Sequence, residues 1–74
     1  MTEYFGKTTR PTAAFAKEVV AKLPDSEMND YVADPDKWLF AHYLCEAHDF
    51  RGNDANTDVF EIALDNRATA EFDY

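Results

Sequence analysis

The stretch DVFEIALDNRATAEFDY, residues 58–74, decides the fold of this chain. On one side of Asp65-Asn66-Arg67, residues Phe60, Ile62 and Leu64 alternate with Val59, Glu61 and Ala63. On the other side, Ala68, Ala70, Phe72 and Tyr74 alternate with Thr69, Glu71 and Asp73. A repeat of two is the period of a β-strand, whose side chains point to opposite faces in turn. The expectation is an antiparallel β-hairpin with strands over about 58–64 and 68–74. A two-residue turn at Asp65-Asn66 would set Ile62 opposite Thr69 and Phe60 opposite Glu71, with polar residues on the core face. A three-residue loop, Asp65-Asn66-Arg67, pairs Leu64 with Ala68, Ile62 with Ala70 and Phe60 with Phe72. The second register keeps one face apolar and is the one chosen.

That register has a consequence for function. It puts Glu61 directly across from Glu71, with Asp73 beside them on the outer face. Like charges paired across strands are destabilising. A chain that carries such a pair is expected to use it, so Glu61, Glu71 and Asp73 become candidate partner-binding residues. Asp54, Asp58 and Asp65, at the ends of the same sheet, complete the candidate surface.

Immediately upstream, RGNDANTDVF (residues 51–60) carries Asp54, Asn56 and Asp58 at alternate positions, as the start of a calcium loop does. An EF-hand needs Gly at its sixth position, an apolar residue at its eighth and Glu at its twelfth. Here those positions are Val59, Glu61 and Asp65. The frame fails three times, leaving a helix stop at Gly52 and a polar connector, with no metal expected.

The first two-thirds of the chain are helical in pattern. Over about 11–23, Phe15, Val19 and Leu23 recur every four residues beside Ala16 and Val20, and Pro24 ends the run. A short helix over 26–32 would turn Met28, Tyr31 and Val32 inward. A helix over 35–49 should begin with Asp34 as N-cap and Pro35 in its first turn. It is apolar on almost every side, from Trp38 to Ala47, and is therefore expected at the centre of the molecule. A third strand over 2–6 is allowed. The whole gives an α+β fold, with residues 1–74 as one small acidic domain.

Charge is the informative part of the composition. Fifteen acidic residues against seven basic give a net charge of −8. Residues 1–22 carry four bases and two acids, so residues 23–74 carry the whole deficit, thirteen acids against Lys37, Arg51 and Arg67. Such a field repels nucleic acid and anionic membrane and attracts basic surfaces. Cys45 is the only cysteine, which rules out a disulfide within the chain and fits a reducing compartment. With no apolar run long enough to span a bilayer, a soluble cytoplasmic protein is expected.

Motifs for chemistry are sparse. His42, Cys45, Glu46 and Asp49 share one helical face at i, i+3, i+4 and i+7, but a structural zinc site draws about four ligands, usually from two elements. Cys45 sits in mid-helix beside Glu46, an unfavourable place for a thiolate. Ser26 is the only serine, and Gly6 and Gly52 are too few for a phosphate-cradling loop. Neither an enzyme nor a cofactor is expected. The first expectation is an acidic protein-binding inhibitor, of which a nucleic-acid mimic of phage or mobile-element type, blocking the basic site of a host or defence protein, is one form. The alternatives are an adaptor or homodimeric structural module, and a small metal- or thiol-dependent enzyme built on His42, Cys45 and Glu46.

Overall fold

The computed structural model describes residues 10–72, and the allowed strand over 2–6 lies outside them. The described residues form four α-helices and no β-strand: α1 (Ala13–Ala21), α2 (Asp25–Ala33), α3 (Lys37–Ala47) and α4 (Asp54–Glu71). The fold is therefore all-α, and the expected α+β architecture is overturned.

The departure lies in residues 58–74. The last two residues of the expected second strand lie outside the described residues, and residues 58–71 of the expected hairpin lie instead in one 18-residue helix, α4, with Phe72 as its C-cap. Its buried residues Thr57, Phe60, Leu64 and Ala68 stand at i, i+3, i+7 and i+11, a helical stripe hidden inside the alternation. Short apolar runs satisfy both periods, and length arbitrates between them. No Gly or Pro occurs after Gly52, so nothing in the chain breaks a long helix there. Asn53 supplies the start signal, its side-chain oxygen accepting from the Asn56 amide at 2.8 Å. The Glu61–Glu71 pair was a warning. A like-charge clash forced by a register marks a conflict between local choice and global fold.

The other helices fall where their patterns place them, with shifted ends. The Thr12 hydroxyl caps α1 by accepting from Phe15 N at 3.0 Å. α2 follows Pro24 directly and carries Asp25 and Glu27 in its first turn, where the helix dipole favours them. The N-cap of α3 is Asp36, which accepts from Leu39 N at 3.0 Å, in place of the expected Asp34. Asp34 acts two residues earlier, accepting from the Asp36 amide at 2.8 Å to fold the turn.

Nor does Gly52 stop α3. The helix closes at Asp49, whose φ of 70° lies in the left-handed region. Phe50 N bonds to Cys45 O at 3.2 Å and Asp49 N to Glu46 O at 3.0 Å, the two bonds of a Schellman closure. Phe50, the residue that follows, is buried.

The centre of the molecule is α4, not α3. α4 packs on each of the other three helices. Phe60 and Leu64 are fully buried and share one core with Ala16, Val19 and Val20 of α1, Met28 and Tyr31 of α2, and Ala41 and Cys45 of α3. Removing a side chain of the Phe60 or Leu64 type from water is worth roughly 1.5–3 kcal/mol. Rings from three segments converge on Phe60: Phe15 at 6.5 Å, Phe50 at 6.2 Å and His48 at 6.3 Å. Arg67, expected in a hairpin loop, fastens α4 to the end of α1. One terminal nitrogen donates to Val20 O and Leu23 O, both at 2.8 Å, joining the Leu23 amide that already bonds to Val20 O at 3.1 Å.

Candidate protein-docking surface

Helix geometry redistributes the six acidic residues singled out in the sequence. Asp54, Asp58, Glu61 and Asp65 stand at i, i+4, i+7 and i+11 of α4 and share one line along it. At 1.5 Å per residue that line is about 16 Å long. Glu71 lies elsewhere, held by Arg67 Nε at 3.1 Å, and no longer faces Glu61. Asp73 is outside the described residues. The structure thus brings four of the six together, by a different element from the one expected.

Along this line the charges feel one another. The Glu61 carboxyl is pushed above its ordinary value, first by loss of water around it and then by the charges of Asp65 and Asp58. Asp65 is held from the other side, accepting a hydrogen bond from the hydroxyl of the fully buried Tyr31. Asp54 and Asp58 are exposed. Asp54 sits in the first turn of α4, where the helix dipole compensates its charge. α2 adds the exposed acids Glu27 and Asp30.

No group of three or more His, Cys, Asp or Glu among the described residues is arranged to hold a metal ion. Cys45 is buried, its thiol donating to Arg51 O at 3.3 Å. Burial, and then the Glu46 charge, push its pKa up, away from the thiolate a nucleophile needs. His42 Nε2 stands 3.5 Å from Glu46 Oε1, a one-helix pair.

Sequence reasoning missed the outer face of α3. Placing this helix at the centre hid the fact that Trp38, Leu39 and Tyr43 are exposed, Tyr43 by 62%. With His42 and Glu46 they occupy adjoining positions at i, i+1, i+4, i+5 and i+8. The signal was available: a helix apolar all round must be covered on every side, and a chain this short has little with which to cover it. Tyr31 links this helix to the acidic line, its ring meeting Phe40 edge-on at 5.3 Å while its hydroxyl holds Asp65.

The described residues define a small acidic four-helix fold. No family model, curated protein or solved structure matches the chain. No helix among the described residues is long and apolar enough to cross a membrane.

Proposed function

We propose that this chain is a small, cytoplasmic, acidic protein-binding inhibitor that docks on a basic protein and occupies a site shaped for nucleic acid. The observation that carries this reading is the line of Asp54, Asp58, Glu61 and Asp65 along α4, kept at a cost to Glu61. Acids crowded at i, i+3 and i+4 destabilise a helix by a few tenths of a kcal/mol per pair. A protein that needed charge only for solubility could scatter it. Four carboxylates along a rigid rod offer a basic groove what a phosphate backbone offers: regularly placed negative charge, read through a long-range field.

The test is the salt dependence of complex formation. Partners captured from the host at low ionic strength should be basic and should lose nucleic acid when this protein binds them. Affinity should fall steeply between about 50 and 200 mM salt, as charge-steered contacts do. Neutralising the line in D54N/D58N/E61Q should weaken binding at low salt by about tenfold or more and flatten the salt slope. A partner whose affinity ignores both salt and this triple variant would sink the reading.

A further inference from the structure

We propose that the outer face of α3 is the apolar anchor of the same interaction, and that its occupant is a basic amphipathic helix presented by the partner. The proposal deepens the reading above and rests on it for the sign of the partner's charge.

Among the described residues five large apolar side chains are exposed, and three of them, Trp38, Leu39 and Tyr43, fall on this one helix. Tryptophan and tyrosine are the residue types that dominate binding energy at protein interfaces. The face is also preorganised. Trp38 stacks on His42 with ring centroids 5.1 Å apart and planes 21° from parallel. His42 is in turn backed by Gly52, where a Cβ would come within 2.3 Å of its ring. A ring held in place before binding loses less rotamer freedom when a partner arrives.

Shape and charge name the occupant. Trp38, His42 and Glu46 form one row at i, i+4 and i+8, and Leu39 and Tyr43 form the next. Two such rows are neighbouring ridges, with a groove between them of the kind that accepts the ridge of another helix. Glu46 lies within the face and Asp36 at its N-terminal edge, both exposed. Lys37, next to Trp38 in the chain, turns its ammonium to Asp34 O at 2.8 Å and to the Tyr31 ring. An apolar groove with acidic margins suits a helix whose apolar stripe is flanked by Lys or Arg. A second copy of this chain brings a charge of −8 to the same margin and is repelled.

The chain reports on this face itself, because Trp38 is its only tryptophan. The probe is an 18-residue helical peptide with a leucine stripe and lysine flanks. Two controls accompany it, one with serine in place of leucine at the same charge and one with glutamate flanks. The leucine–lysine peptide should shift Trp38 emission to the blue and saturate. The serine control should bind at least about tenfold more weakly, the loss expected from one missing anchor. L39A/Y43A should keep its helical content by circular dichroism, Tyr43 being 62% exposed and Leu39 38%, and should weaken the peptide by a similar factor. Equal binding of the leucine and serine peptides, or an unchanged affinity in L39A/Y43A, overturns the proposal. So does a concentration-dependent blue shift without peptide, which would make a second copy the occupant. Failure here is separable from failure of the acidic reading. If D54N/D58N/E61Q still weakens the captured partner and L39A/Y43A does not, only the α3 face is lost.

Discussion

Asp49 shows how one residue can hold a helix end that its sequence does not advertise. It takes a left-handed φ of 70° in the position where helices most often place glycine. Asp and Asn tolerate that region better than other residues, because their short polar side chains bond locally. A β-branched residue there meets the full steric penalty. Asp49→Gly is therefore expected to be neutral or to raise stability by up to about 1 kcal/mol. Asp49→Val should cost about 1–3 kcal/mol. Thermal denaturation of the two variants measures the difference, and equal midpoints would remove Asp49 as the closing residue. Gly52 is the residue type of the usual helix stop. Its real constraint is space beside His42, which only the tertiary structure reveals.

At the scale of elements, the joint between α1 and α4 depends on Arg67, whose side chain is 13% exposed. Its guanidinium satisfies two carbonyls at the end of α1 while meeting Asp25 at 3.2 Å and Glu71 at 3.1 Å. The two carboxylates are largely solvated, so the carbonyl bonds carry most of the effect. Arg67→Met should lower stability by about 2–4 kcal/mol, through the lost charge-assisted bonds and the Leu23 carbonyl deprived of its Arg67 donor, while Val20 O keeps the Leu23 amide. Arg67→Lys should recover only part of it, because an ammonium cannot reproduce the planar fork. Urea midpoints for the two variants check this, and full recovery by lysine would show that charge alone matters. The same joint explains what was legible in the chain. The first three helices could be read because each has a local signal: a cap at Thr12, a stop at Pro24, and an Asp-Pro-Asp entry at 34–36. α4 could not be read in the same way, because its residues satisfy periods of two and of 3.6 together and the choice is made by distant contacts. Phe60 needs the rings of Phe15, Phe50 and His48, and Arg67 needs the Val20 and Leu23 carbonyls at the end of α1. The acidic residues were identifiable by type, and their grouping depended on the helix.

For the whole molecule, the acidic surface sets stability against pH in a direction that can be worked out from Glu61. Its carboxyl is raised above the ordinary value of 4.5, with lost hydration the leading cause and the charges of Asp65 and Asp58 next. The native state then binds more protons than the unfolded chain between the two pKa values, so stability falls as pH rises through that window. Above the native pKa the ionised carboxylate is a standing cost, and below 4.5 the cost vanishes because both states are protonated. Glu61→Gln removes the ionised form altogether. Its thermal midpoint at pH 7 should lie above that of the parent; a gain of about 0.5 kcal/mol corresponds to roughly 2–4 °C for a chain of this size. The gap between the two proteins should close as the pH is lowered towards 4.5. Added salt should narrow it only in part, since screening acts on the neighbouring charges and not on the lost hydration. A midpoint at pH 7 that falls on mutation would mean that the Glu61 charge is held by a favourable contact. The cost of keeping the acidic line, and with it the argument that the line is kept for a partner, would then be gone.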